Sequence, residues 1–80
     1  MRKYPILFVE WIDAHSEYGW HEFSHVQSEP DPQRSVGFLI RESENTISIA
    51  QSHQEEGSLV ADVLTIPRSY ITSIKKLRHA

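Results

Sequence analysis

Cysteine is absent from this chain of 80 residues, and only three glycines and one methionine occur in it. Without cysteine, the chain can form neither disulfides nor thiolate-based catalytic or zinc sites. Because the three glycines stand singly, there is no glycine-rich loop of the kind that binds phosphate. No apolar run approaches the roughly 20 residues of a membrane-spanning helix, and the basic start lacks the cleavage site of a secretory signal. These absences fit a protein of the reducing cytoplasm, which is where we expect it to act.

The apolar content is nevertheless sufficient for a folded core. Apolar residues make up 39% of the chain and charged residues 24%, with a formal net charge of −3. Domains cluster near about 100–150 residues, and two cores would not fit into this length. We therefore expect a single small domain over residues 1–80, which buries only about 60% of its unfolded surface.

Short runs rich in β-branched residues predict five strands. The runs cover residues 6–12, 35–41, 46–52, 59–66 and 71–77, and their composition favours strands over helices. A short 3₁₀ turn is expected at residues 67–70, because Pro67 cannot donate to a ladder and ends the strand before it. Bending such a sheet onto itself would let a short chain bury a core. The sequence therefore predicts an all-β, five-stranded, strongly bent antiparallel barrel.

Residues 13–34 differ in kind from the rest of the chain. We interpret them as a long acidic loop with an irregular strand at 19–26, because the segment Glu29-Pro30-Asp31-Pro32 disfavours regular pairing. A helix over 13–27 would instead give an α+β fold, but Gly19 and the scattered aromatic residues argue against it. Long loops within small domains are usually functional or mobile.

The segment Ile66-Pro67-Arg68-Ser69-Tyr70-Ile71 resembles the end of Src-homology-3-type barrels. In that family a Pro-x-x-Tyr turn of 3₁₀ helix joins the last two strands, and both residues contribute to a groove for proline-rich peptides. The order of strand, long loop, hairpin, strand, turn and strand is similar as well. The resemblance implies the same small barrel, with Pro67 and Tyr70 at the matching groove positions. A slighter resemblance to Sm-like barrels rests on the Ile-Pro segment, without their Ile-Arg-Gly signature.

A narrower resemblance extends over nearly the whole chain. The segments that carry it are Tyr4-Pro5-Ile6, Val9-Glu10-Trp11, Asp13-Ala14, Gly19-Trp20-His21, Val36-Gly37-Phe38-Leu39, Ala50-Gln51-Ser52 and Ile66-Pro67-Arg68. This pattern is similar to that of small phage- and prophage-encoded proteins whose function is not assigned. The resemblance implies a cytoplasmic setting in a bacterial or phage-infected cell, and it indicates no particular biochemical activity.

No set of residues in the sequence predicts catalysis or a bound cofactor. His21 and His25, with Glu22 and His15 nearby, are of metal-ligating types. The pair His21 and His25 would share one face only on a helix, and on an extended chain they would lie about 13 Å apart. The set of Asp13, His15, Ser16 and His21 includes the residue types of an acyl-transfer triad, but no strained nucleophile turn surrounds the serine. We expect no enzyme, no metal site and no cofactor. A loop that a metal orders through His21 and His25 is the third of our three hypotheses.

An aromatic residue in the acidic loop favours a binding function instead. Trp20 lies between Gly19 and His21, and large aromatic residues are enriched at interface hot spots. The alternative is that Trp20 folds back as a lid over one end of the barrel. The first hypothesis is therefore a non-catalytic protein-interaction or self-assembly module that binds its partner through Trp20, Pro67 and Tyr70.

Charge is segregated along the chain. Residues 10–33 carry six acids and no base, whereas residues 68–80 carry no acid and four bases: Arg68, Lys75, Lys76 and Arg78. The second hypothesis is a nucleic-acid-binding barrel that uses these four residues against phosphates. The same bases could pair with the acidic loop, within one chain or from a neighbouring copy. Because the net charge is negative, we favour a protein partner or a second copy over nucleic acid, and we expect no membrane partner.

Overall fold

All regular structure in the described part of the chain is strand or 3₁₀ turn. The computed structural model describes residues 4–14, 16 and 18–78. Its strands are β1 (Ile6–Asp13), β2 (Asp31–Glu42), β3 (Thr46–His53), β4 (Val60–Pro67) and β5 (Ile71–Leu77). Two 3₁₀ turns of three residues each lie at Phe23–His25 and at Arg68–Tyr70, and the second of them joins β4 to β5.

The five strands form one antiparallel sheet in the order β4-β3-β2-β1-β5. The expected all-β class and antiparallel pairing are therefore confirmed. The expected barrel is wrong in that no backbone ladder joins β4 to β5 within the described residues, so the sheet keeps two free edges. Packing of side chains, and not backbone pairing, brings its two halves together.

The core shows that this open sheet is strongly bent. Five nearly fully buried residues from β1, β3 and β4 form one cluster: Leu7, Val9, Ile47, Ile49 and Ile66. In a flat sheet β1 and β4 would lie about 14 Å apart, which is three strand spacings and too far for one cluster. The register shifts between Glu10 and Trp11 and between Leu39 and Arg41, and such irregularities increase local bending.

Trp11 extends the core toward the far end of β1. Its ring packs against the buried cluster, and its indole Nε1–H donates to Oγ of Ser35 on β2 over 3.0 Å. A buried tryptophan needs such a partner for its N–H group. The indole therefore links β1 to β2 by a hydrogen bond and also fills space beside the core cluster.

Strand β2 begins earlier than the sequence indicates. It starts at Asp31 and not at residue 35, because residues 31–34 pair with the end of β1. The pairing of β2 with β3 begins only at Phe38, so the first half of β2 has one neighbour. Pro32 is tolerated there because its missing N–H faces no second strand. The excursion between β1 and β2 therefore covers residues 14–30, and it contains a 3₁₀ turn where an irregular strand was expected.

Candidate functional site

The described residues between β1 and β2, which are 14, 16 and 18–30, extend away from the sheet, and we name them the arm. The molecule measures 55 × 26 × 23 Å. Its Cα radius of gyration of 16.1 Å exceeds the about 12 Å expected for a compact chain of this length. Strands β1 and β2 run side by side to the base of the arm, where Asp13 pairs with Asp31.

The arm exposes its aromatic side chains to solvent. Tyr18, Trp20 and Phe23 are 91%, 102% and 95% exposed, and Val26 is 50% exposed. Trp20 therefore does not pack as a lid on the sheet, and that alternative is wrong. Sequence reasoning singled out Trp20 alone and missed Tyr18 and Phe23. Their shared position in one acidic, strand-poor segment was the available signal.

Short-range hydrogen bonds shape the arm. The backbone N–H of His25 donates to the carbonyl of Glu22 over 2.9 Å, which closes the 3₁₀ turn. The ring Nε2 of His21 donates to the carbonyl of Tyr18 over 2.9 Å. The side-chain amide of Gln27 donates to the carboxylate of the first residue of β2 over 3.0 Å. These bonds order neighbouring residues and leave the aromatic rings uncovered.

The histidines of the arm serve its local structure. His21 bonds to a backbone carbonyl, and His25 lies in the 3₁₀ turn. Across residues 4–14, 16 and 18–78, no three side chains of the metal-binding types come together at a possible metal site. His15, which entered both the metal and the triad hypotheses, lies outside the described residues.

A shallow hollow lies where the arm meets the sheet. The apolar part of its lining is Ile12, Ala14, Pro30 and Tyr70. Tyr70 ends the second 3₁₀ turn and is 44% exposed. Pro67 is partly buried at the end of β4, beside that turn. Of the residues predicted to bind a partner, Tyr70 thus lies at the base of the arm, Trp20 on the arm, and Pro67 outside the hollow.

Arg68 connects the second 3₁₀ turn to the turn between β2 and β3. Its Nε–H donates to the carbonyl of Ser43 over 2.9 Å, and a guanidinium nitrogen lies 3.3 Å from a carboxylate oxygen of Glu42. Its backbone N–H donates to the carbonyl of Asn45 over 2.8 Å. Three partners within its own chain thus hold this residue, so its charge contributes to the fold.

The other three predicted bases lie near the opposite end of β5. Lys75, Lys76 and Arg78 are exposed, and none forms an ion pair with a described residue, unlike Arg68. Most of the length of β5 separates them from Arg68. The four bases therefore do not form one patch, although they are close in sequence.

An apolar row crosses the sheet beside these bases. Phe8 of β1 lies between Val36 of β2 and Lys75 of β5 in the register, so the three side chains share one face of the sheet. Val36 is 47% exposed and Phe8 is partly exposed. Lys76 pairs with Leu7, so its side chain lies on the opposite face of the sheet. We name Phe8, Val36 and Lys75 the apolar row. Sequence reasoning did not combine these residues, because only the strand pairing brings them together.

Neither 3₁₀ turn, nor any other part of the described chain, is a helix of the length and apolar character that crossing a membrane requires. Comparison with known proteins finds no family model, no curated protein and no solved structure that matches the chain. What the protein does is therefore inferred from the arm, the hollow at its base and the exposed bases near the end of β5.

Proposed function

We propose that this protein is a non-catalytic protein-interaction module and that the arm binds the partner. The observation that carries the proposal is the exposure of three aromatic side chains, each at least 91% exposed, on one projecting segment. Apolar surface that stays in water forgoes the free energy that burial provides. A partner that covers Tyr18, Trp20 and Phe23 would gain that free energy.

The area that the arm offers is of the right order for a protein partner. One aromatic side chain buries about 150–250 Å², so three rings offer about 450–750 Å². Each side of a typical stable interface contributes about 800 Å². Tryptophan and tyrosine dominate measured hot spots, so we expect Trp20 and Tyr18 to contribute most of the binding free energy.

The hollow at the base of the arm extends this binding surface. We infer that the bent sheet is of the Src-homology-3 type, because the order of its elements along the chain is that of the family. Tyr70 and Pro67 occupy the positions that help bind proline-rich peptides in that family. Here the arm is the larger apolar surface, so we assign Tyr70 and Pro67 a supporting role. The resemblance to phage-encoded proteins suggests a cytoplasmic partner in a bacterial or phage-infected cell.

Site-specific photocrosslinking in bacteria that express the full chain tests this proposal. A photoreactive phenylalanine analogue replaces Trp20 and, as a matched control, Gln54, which is exposed in the loop between β3 and β4. We expect position 20 to give a discrete adduct with one partner, which is either a different protein or a second copy of this chain. Position 54 should give no adduct.

Binding between purified proteins then completes the test. The protein found in the adduct should bind the unmodified chain, and Trp20→Ala should weaken this binding at least about tenfold, as hot-spot residues do. No discrete adduct from position 20, or equal affinity for the Trp20→Ala variant, would overturn the proposal.

A different observation favours nucleic-acid binding as a second candidate function. Lys75, Lys76 and Arg78 are exposed near one end of an edge strand, without ion-pair partners among the residues described. With three phosphate contacts, the logarithm of the affinity would fall with the logarithm of the salt concentration with a slope of about −2.7. Fluorescence anisotropy with labelled DNA and RNA measures this. No binding at low salt would exclude this function.

A further inference from the structure

The exposed aromatic residues of the arm stand beside a carboxylate. Glu22 directly precedes Phe23 and follows Trp20 by two residues, and all three residues are exposed. The described chain contains no cis peptide bond, so the Cα atom of Glu22 lies about 4 Å from that of Phe23 and at most about 7 Å from that of Trp20. A surface that covers both rings therefore also comes close to this carboxylate.

No lysine or arginine of the described chain neutralises the carboxylates of the arm. The sequence contains neither residue type from position 13 to position 33. The described acids of the arm, Glu22 and Glu29, form no ion pair with a described residue. Arg34, the first base after the arm, pairs with Glu10 over 3.3 Å. A cation that meets Glu22 is therefore expected to come from another molecule.

This arrangement restricts the chemistry of the partner. Burial of the two rings is favourable, but a carboxylate that loses its water without gaining a cation opposes burial. Phosphates of nucleic acid and other anionic surfaces would add like-charge repulsion. A partner that covers the arm must therefore supply a cation together with its apolar contacts.

Arginine is the cation that fits both kinds of group. A guanidinium stacks on aromatic faces and is more weakly hydrated than an ammonium group. It also forms paired hydrogen bonds with a carboxylate. A cation interacts with a ring within about 6 Å of the ring centroid, which is of the same order as the spacing of Trp20, Glu22 and Phe23. Lysine offers a single point charge and no such stack.

We propose that the arm binds an arginine-bearing surface of its protein partner, with the guanidinium on Trp20 or Phe23 and paired with Glu22. This inference rests on the proposed function, since it names the chemistry of the partner that the same arm binds. Charge complementarity favours this occupant over an acidic or a purely apolar surface. The rings supply most of the buried area, and the carboxylate selects the partner.

Fluorescence anisotropy with three labelled peptides tests this inference on the full chain. The peptides have equal length and alternate glycine with arginine, lysine or glutamate. The salt concentration is about 50 mM, at which exposed charges are only partly screened. We expect saturable binding of the arginine peptide and none of the glutamate peptide. The lysine peptide should bind at least about threefold more weakly, because its ammonium groups neither stack nor pair in a bidentate manner.

Two variants of equal net charge separate recognition by Glu22 from general attraction. Glu22→Gln and the control Glu56→Gln each remove one negative charge, and Glu56 is exposed in the loop between β3 and β4. We expect Glu22→Gln to weaken binding of the arginine peptide about tenfold, because a charge-assisted hydrogen bond is lost. Glu56→Gln should weaken it less than about twofold.

A third variant tests the contribution of the rings. Trp20→Ala with Phe23→Ala removes both rings and keeps Glu22, and it should weaken binding of the arginine peptide at least about fivefold. Circular dichroism verifies that each variant is folded. Because these side chains are exposed, we expect every variant to keep the spectrum of the unmodified chain.

Several results would overturn this inference. They are no saturable binding of the arginine peptide, equal affinity for the arginine and lysine peptides, and equal losses for Glu22→Gln and Glu56→Gln. If position 20 crosslinks to a protein, a different one or a second copy, while the arginine peptide does not bind, the proposed function stands and this inference fails. If position 20 gives no adduct and the peptide does not bind, both fail.

Discussion

The sheet and the arm use similar apolar side chains in opposite ways. In the sheet, five aliphatic residues are at most 6% exposed, because alternation along each strand directs them to one face and a neighbouring strand covers them. In the arm, three aromatic side chains are at least 91% exposed, because no strand partner lies beside them. Burial of an apolar side chain therefore depends on paired strands whose side chains alternate between the two faces of the sheet, and not on hydrophobicity alone.

The two regions should differ most when a core residue is truncated. Ile66→Ala removes a side chain that is 0% exposed and should lower the free energy of unfolding by about 2–5 kcal/mol. Urea denaturation measures the change. Should this variant fail to fold, Ile66→Val is expected to cost about 0.5–1.5 kcal/mol. A cost for Ile66→Ala no greater than that of Val63→Ala, on the same strand and 48% exposed, would contradict the assigned core.

Adding a methyl group to a glycine should also affect the sheet and the arm in different ways. A Cβ atom at Gly37 would lie 3.0 Å from the carbonyl oxygen of Ala50 and 3.0 Å from Cβ of Ile49. Overpacking of this kind costs about 1–3 kcal/mol, and thermal or urea unfolding of Gly37→Ala would measure it. Gly19→Ala in the arm differs in kind, because its methyl group would meet nothing within 4 Å but its φ of +84° is unfavourable for alanine, so any cost there is local backbone strain. The account fails here if Gly37→Ala leaves the unfolding midpoint unchanged.

Removal of Arg68 should have a smaller effect on stability. Arg68→Ala loses the bond to the Ser43 carbonyl and the ion pair with Glu42, which together are worth about 1 kcal/mol because the pair is partly exposed. Arg41→Ala, at an exposed site, should change stability by less than about 0.5 kcal/mol. Equal unfolding midpoints for the two variants would show that Arg68 does not stabilise the turn.

Among these variants, Trp20→Ala should change the free energy of unfolding least, although it removes the largest side chain. Trp20→Ala removes an indole that is fully exposed, so the free energy of unfolding should change by less than about 0.5 kcal/mol. The same denaturation experiment measures it, under salt conditions in which the protein is monomeric. A loss comparable to that of Ile66→Ala would mean that Trp20 packs against the sheet.

Much of the fold could be predicted from the sequence, because strand signals are local. Runs of β-branched residues fixed β3, β4 and β5 to within one residue. The start of β2 was missed because the prolines at 30 and 32 indicate a loop, while the pairing that tolerates Pro32 depends on β1, a separate part of the chain. The missing closure between β4 and β5 is likewise a property of the assembled sheet.

The candidate site was predictable only in part. Trp20 could be singled out from its acidic surroundings, but its exposure depends on how far the arm extends. The bases after residue 67 form one group in the sequence and two groups in space, because β5 separates Arg68 from Lys75. The partner of Arg68, Glu42, lies 26 residues away, and no local pattern encodes such a contact.

The most direct test of the central claim, that the arm stands free of the sheet and is available for binding, is the fluorescence of Trp20. Trp11→Phe leaves Trp20 as the single indole of the chain. At high dilution and high salt, the account predicts the emission of a fully hydrated indole with unhindered quenching by acrylamide. When the partner identified by crosslinking is added, it predicts a blue shift and reduced quenching because that partner covers the ring. The emission of a buried indole at the highest dilution would contradict the account, because it would place Trp20 against its own sheet.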